Sequence, residues 1–143
     1  MVEHILVGFD GSESSRKAVR FAHDLAVQTH AKLTLVFVLE LPHVLPIGPL
    51  DSYLVTGSAR APEEIKAVQR LLDEVAADLP AVSVDRRVEI GRPADVLCEQ
   101  AEQCGADLIV VGARGVGLGG RWLLGSVSDR VVHHAGRPVV VVH

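Results

Sequence analysis

The strongest constraint on the fold is a set of short runs with no polar face. HILVGF (His4–Phe9), LTLVFVL (Leu33–Leu39), DLIVVG ending at Gly112, and PVVVV (Pro138–Val142) are apolar almost from end to end. A strand of this kind must be covered on both sides, which a parallel sheet flanked by helices provides. A fifth run, Val82–Ile90, alternates instead. Val82, Val84, Val88 and Ile90 fall on one side and Ser83, Asp85, Arg87 and Glu89 on the other, with Arg86 interrupting the apolar side. It reads as a partly solvated edge strand.

Helix signals fill the intervals. Ser12 is a good N-cap and Glu13 suits the positive helix start. That helix is expected to run to about Gln28, with Ala18, Phe21, Ala22, Leu25 and Ala26 inward. Pro62 opens a second helix, to about Asp78, in which Ile65, Val68, Leu72, Val75 and Leu79 follow 3,4,3,4 spacing. Gly91-Arg92-Pro93 opens a third, with Ala94, Leu97, Cys98, Ala101 and Cys104 inward and Gly105 at its end. Ser126–Asp129 loosely resembles a capping box for a short fourth helix, with Gly136 and Pro138 stopping it. The stretch Leu41–Ala59 is long for a connection in a compact domain and suits a lid or a partner surface.

The order β-α-β-α-β-α-β-α-β predicts a single α/β domain over residues 1–143, a Rossmann-like, doubly wound, five-stranded parallel sheet. The expected strand order is 3-2-1-4-5. Its switch point lies between strands 1 and 4, where ligands bind beyond the carboxyl ends. Asp10, ending strand 1, would then face Gly112, ending strand 4.

Gly112–Ser128 reads GARGVGLGGRWLLGSVS, with five glycines among residues 112–120 and a sixth at Gly125. A glycine-rich path from a strand into a helix presents free N–H groups beside a partial positive charge, which suits phosphate. A Walker A loop does not fit, because Leu124 precedes Gly125 and no lysine is present. GxGxxG can be laid on Gly115, Gly117 and Gly120, but no strand end with an acidic ribose partner follows about 20 residues later. Arg114 and Arg121 are available for charge-assisted bonds to phosphate, or are solvated loop charges. Asp10 equally suits an Asx turn and Ser126 a plain N-cap. Trp122 reads as a loop anchor.

These residues carry a resemblance. Gly112, Gly115, Gly125 and Ser126 match Gly-x2-Gly-x9-Gly-Ser/Thr, the motif of the ATP-binding branch of the universal stress protein family. ILVGFDGSESS, GRPADVL and DLIVVGARG resemble the family's first strand and turn, third helix start and fourth strand. The resemblance spans the chain and implies an adenine nucleotide alpha hydrolase-like fold. It implies that Asp10 holds the adenine–ribose side with Gly8 near it, and that Val38 offers backbone groups and an apolar wall to adenine. It places Gly112 and Gly115 beside ribose and phosphates. Gly125, Ser126 and Val127 would bind phosphate through main-chain N–H, with the Ser126 hydroxyl and Ser128 assisting. Gly8 departs from the family's frequent proline. The resemblance also implies a homodimer through Pro138–Val142. ATP is the expected ligand, with magnesium or manganese arriving on the phosphates; cAMP, or a nucleotide-free dimeric scaffold, is the alternative.

The remaining composition narrows function. A net charge of −4 and 3% aromatic content argue against nucleic acid. No apolar run approaches a membrane span, and MVEH lacks a basic leader. Cys98 and Cys104 form no CxxC, so reduced thiols in a cytoplasm are expected. His133 and His134 are adjacent on a helix with no third ligand, which favours a structural role at a helix end. No base or paired carboxylates are assigned, so a nucleotide sensor with slow hydrolysis at most is expected.

Overall fold

The computed structural model describes residues 1–40, 61–114 and 124–143. Five strands, β1 (His4–Gly8), β2 (Lys32–Leu39), β3 (Val84–Ile90), β4 (Leu108–Gly112) and β5 (Val139–Val142), form one parallel sheet in the order β3-β2-β1-β4-β5. Four helices alternate with them: α1 (Glu13–Thr29), α2 (Ala61–Ala77), α3 (Pro93–Cys104) and α4 (Ser126–His134). The stretch Leu41–Ala59 lies within residues outside the described set, as do Gly115, Arg121 and Trp122.

The two-faced burial that the apolar runs demand is met by two separate cores. Ile5, Val7, Leu33, Leu35 and Val110 point to one side, where they meet Ala18 and Ala22 of α1 and Leu72 of α2. Leu6, Val36, Ile109 and Val111 point to the other, against Ala94, Leu97 and Ala101 of α3 and Val131 of α4. Successive strand residues thus serve opposite cores, as period 2 requires. α1 and α2 cover one face and α3 and α4 the other, so β1 and β4 are neighbours whose crossovers leave on opposite sides.

Several local expectations change. Phe21 is 43% exposed, because the buried stripe of α1 is Ser15, Ala18, Val19, Ala22 and Ala26. Ile90 is 45% exposed at the edge, and the pairing starts at Val84, after Ala81 takes φ 63°. Arg86 sits on the apolar side because Asp73 of α2 meets it at 3.2 Å. Cys98 and Cys104 are free and only half-buried. As expected, Gly105 caps α3 at φ 66°. Gly136 follows the Ala135 cap of α4, the expected C′ place, but does not take a positive φ.

His4 and Thr34 form a buried polar pair near the amino ends of the central strands. His4 is 4% exposed, between Cys104 and Thr34. The Cys104 carbonyl can only accept, so Nδ1 donates to it (3.1 Å), and Nε2 accepts from the Thr34 hydroxyl (2.8 Å). Burial, aided by the Lys32 charge, pushes the imidazole below its ordinary value. Nearby, the Asp107 carboxylate accepts the N–H groups of Glu3 (2.9 Å) and His4 (3.0 Å), tying the start of β1 to that of β4.

Gly112 allows α1 to approach the sheet. A Cβ there would lie 2.5 Å from Ser14 Oγ, 2.6 Å from the Ser14 carbonyl carbon and 2.7 Å from the Ser15 nitrogen. Backbone cannot yield as a side-chain tip can. Gly112→Ala is therefore expected to cost about 1–3 kcal/mol in urea unfolding. Gly136→Ala, whose Cβ meets only Glu102 Oε1 at 3.6 Å, should stay within about 0.5 kcal/mol of the parent; equal losses at the two sites would contradict this packing.

The His4 environment sets a pH dependence. Its folded-state value lies below its unfolded one, so in the interval between them the unfolded chain binds the extra proton. Stability should therefore fall as pH drops through about 6.5 toward the folded value. Unfolding free energies at pH 7.5 and 5.5 should differ less in His4→Gln than in the parent; identical slopes would remove His4 as the cause.

Candidate functional site

The switch point opens a cavity of about 520 Å³ at the carboxyl ends of the strands. A nucleotide-sized ligand needs a volume in this range. Of the residues singled out from the sequence, Gly8, Asp10, Val38, Gly112, Arg114, Ser126, Val127 and Ser128 line it. Gly115 lies outside the described residues. Gly125 is not among the lining residues.

The cavity lining has apolar and polar members. Val36, Val38, Leu39, Pro93, Leu97 and Val111 make an apolar wall. Asp10, Ser15, Glu40, Arg114, Ser126 and Ser128 supply polar groups, and the strand order places the β2 residues and the start of α4 on opposite sides of the β1 end. A Cβ at Gly8 would meet Leu97 Cδ1 at 2.9 Å and Val111 Cγ1 at 3.3 Å, so a side chain there would require the tip of Leu97 to shift.

Val38 owes its place to unequal strand lengths. In β2 the even-numbered residues face β1: Lys32 N–H donates to Glu3, and Val36 C=O accepts from Phe9 N–H at 2.9 Å. β1 stops at Gly8, opposite Val36. Val38, two residues further on, has its N–H and C=O aimed the same way, and among the described residues neither finds a backbone partner there. An unpaired main-chain donor and acceptor beside an apolar wall can read the edge of a flat heterocycle.

The start of α4 is similarly open. Its N-cap is Gly125 rather than Ser126, which occupies the first helical position. Gly125 has no side chain to cap with, and the first intrahelical bond is Asp129 N–H to Gly125 C=O at 2.9 Å. The N–H groups of Ser126, Val127 and Ser128 therefore have no intrahelical acceptor. A helix start without a side-chain cap attracts anions.

Gly125 and Ser128 have structural tasks. Gly125 N–H donates to the Ala113 carbonyl at 2.6 Å, so that donor is occupied. The Ser128 hydroxyl, 2% exposed, bonds the carbonyls of Ala113 and Gly125, each at 3.0 Å. Together they fasten the start of α4 to the end of β4.

Asp10 is exposed at the rim. Its Oδ1 accepts Ser12 N–H at 2.9 Å, an Asx turn, so the structural reading of this residue holds. The other carboxylate oxygen has no partner among the described residues. Ser12 caps α1 by accepting Ser15 N–H at 3.2 Å.

Ser15, Phe37, Glu40, Pro93 and Leu97 also line the cavity and were not anticipated. Pro93 and Leu97 belong to the α3 start, which the sequence shows only as a helix entrance; the strand order brings it to the site. Among the described residues, no three His, Cys, Asp or Glu side chains converge as metal ligands, and no helix is long and apolar enough to cross a membrane.

The universal stress protein family model matches residues 1–143. A universal stress protein of Mycolicibacterium smegmatis is 39% identical over 142 residues; the match covers 97% of this chain and 47% of that protein, so the chain spans about half its length. A solved universal stress protein in complex with cAMP is 31% identical, with a TM-score of 0.71 and coverage of 99% of this chain and 97% of that one. The universal stress protein UspA from Lactobacillus plantarum is 28% identical, with a TM-score of 0.78 and coverage of 99% and 98%.

Ser128 is expected to act on the frame rather than on a ligand. Ser128→Ala should cost about 1 kcal/mol in unfolding free energy by losing one buried hydroxyl donor; no change in urea midpoint would mean that its two carbonyl contacts contribute nothing.

Proposed function

The chain belongs to the universal stress protein family, and on that footing we propose that it binds an adenine nucleotide, ATP before others, and works as a sensor. One observation carries the reading. The cavity that holds the unpaired Val38 amide also holds the uncapped start of α4.

These two features suit the two ends of a nucleotide. Adenine offers a ring-nitrogen acceptor next to an amino donor, complementary to the N–H and C=O of one extended residue such as Val38. Its faces fit between aliphatic side chains such as Leu39 and Leu97. The Asp10 oxygen outside the Asx turn is assigned to ribose hydroxyls, with Gly8 beside it. Gly112 and Gly115 border the sugar and phosphates. Ser126 and Val127 supply phosphate donors through N–H, and the Ser126 hydroxyl adds another. Ser128 contributes its N–H alone, since its hydroxyl is engaged. Gly125 helps by holding the helix start in place. Arg114 brings positive charge.

Magnesium or manganese is assigned to the phosphates, with few protein ligands. Hydrolysis needs a group that orients water against the terminal phosphate. Asp10, the nearest carboxylate in this reading, serves the sugar, so turnover is slow at most. β5 closes the sheet with half-buried valines and, among the described residues, an unpaired ladder edge. A second copy of the chain pairing there, in a cytoplasmic homodimer, completes the proposal. A cyclic nucleotide is the second reading, favoured by the 31% identical relative solved with cAMP.

Isothermal calorimetry should give an ATP Kd near 1 µM, roughly −8 kcal/mol. Gly115→Val combined with Ser126→Glu, which fills and charges the cradle, should weaken binding by at least about 100-fold, roughly 2.7 kcal/mol. Unchanged affinity in that double variant would place the ligand elsewhere, and cAMP displacing ATP at equal concentration would favour the cyclic ligand.

A further inference from the structure

The root of the glycine loop is fastened residue by residue. Ala113 N–H donates to Val142 C=O at 2.7 Å, and Ala113 C=O receives Gly125 N–H and the Ser128 hydroxyl. Arg114, the next residue, is held from a different element. The Ser14 hydroxyl, in the first turn of α1, donates to Arg114 C=O and accepts Arg114 N–H at 3.3 Å. Ser12 Oγ adds a bond to the same carbonyl at 3.4 Å. One short side chain therefore engages both backbone groups of Arg114. It reaches them because Gly112 has no Cβ to stand in the way.

Arg114 is also where two cavities meet. It lines the 520 Å³ crevice and a second space of about 230 Å³ bounded by Ser12, Glu13, Ser14, Lys17 and His143. Arg114 borders both spaces, so the way its backbone is held bears on which one its guanidinium serves. Ser14 itself borders only the smaller space and does not line the crevice. Lys17 is paired with Glu13 at 3.8 Å, and among the described residues Arg114 is the one cation that borders both spaces.

We propose that Ser14 is a positioning residue for the phosphate half of the site. Its hydroxyl fixes the Arg114 backbone at the end of β4, so that the Arg114 charge meets the phosphates rather than the neighbouring space. This rests on the adenine-nucleotide reading. It adds that a side chain outside the crevice sets how well phosphate is held, while adenosine, which has no phosphate, is indifferent to it.

The test compares Ser14→Ala and Ser14→Thr with the parent full chain, titrating ATP and adenosine separately. Ser14→Ala should raise the ATP Kd about tenfold and leave the adenosine Kd within about twofold, at a melting temperature close to the parent's. Ser14→Thr keeps the hydroxyl and should recover most of the ATP affinity. In the ligand-free protein, the Arg114 amide should exchange its hydrogen about tenfold faster in Ser14→Ala, because its acceptor is gone. Parent-like ATP affinity in Ser14→Ala, or ATP and adenosine weakening together with a lowered melting temperature, would overturn the positioning role. An unchanged Arg114 exchange rate would overturn the clamp itself. If the parent binds neither ATP nor adenosine, the nucleotide reading fails and the role of Ser14 at that site fails with it.

Discussion

The molecule's two halves are joined by three register pairs between β1 and β4: Ile5 with Leu108, Leu6 with Ile109 and Val7 with Val110. Every other feature of the site depends on that short seam. The crossovers from these two strands leave toward opposite faces, so no helix can cover the gap beyond their carboxyl ends. The seam is stiffened at its far end, where the Asp107 carboxylate takes the N–H groups of Glu3 and His4 and the His4 ring bridges Thr34 and Cys104. At the near end, Gly112 lets the first turn of α1 come within backbone contact of β4. The crevice is open because the chain on both sides of it is held.

The division of labour inside the crevice follows from what each element leaves unsatisfied. β2 outruns β1, which exposes one amide and one carbonyl at Val38. α4 begins without a side-chain cap, which exposes N–H groups and a partial positive charge. Unpaired main-chain groups are costly where water is excluded, and a ligand that pairs with them removes that cost. The apolar wall between the two ends supplies contact area, and the few charged residues sit at the rim. Such an arrangement suits a molecule that is flat and apolar at one end and anionic at the other, which is the basis of the proposed nucleotide site.

Much of this was legible in the sequence. Strands buried on both faces write themselves as unbroken apolar runs, and β1, β2 and β4 are legible that way, while the equally apolar β5 is an edge strand with half-buried valines; the strand order that brings Asp10 to Gly112 is legible too. The errors have local causes. Phe21 fits a wide helical stripe, but α1 covers the sheet with Ala and Val and leaves Phe21 outside. Arg86 breaks the β3 pattern because its partner, Asp73, lies in another element. In Gly125-Ser126, serine is the better capping residue by type, yet glycine takes the cap and leaves the helix start bare. What the sequence could not display are consequences of relative length and of approach between elements. The free edge at Val38 depends on where β1 stops, and the Ser14 contact with Arg114 joins residues 100 positions apart. The roles of Gly115 and of the stretch Leu41–Ala59 rest on the sequence, since both lie outside the described residues.

The central claim is that one ligand spans the distance from the Val38 backbone to the start of α4. The most direct measurement is an amide-resolved NMR titration of the full chain with ATP. The account predicts that the largest shifts appear together, at one shared affinity, on the amides of Val38, Ser126 and Val127, while Glu3 and His4 at the opposite end of the sheet stay still. Shifts confined to one end of the crevice, or gathered on β5 or around Lys17 and His143, would contradict it.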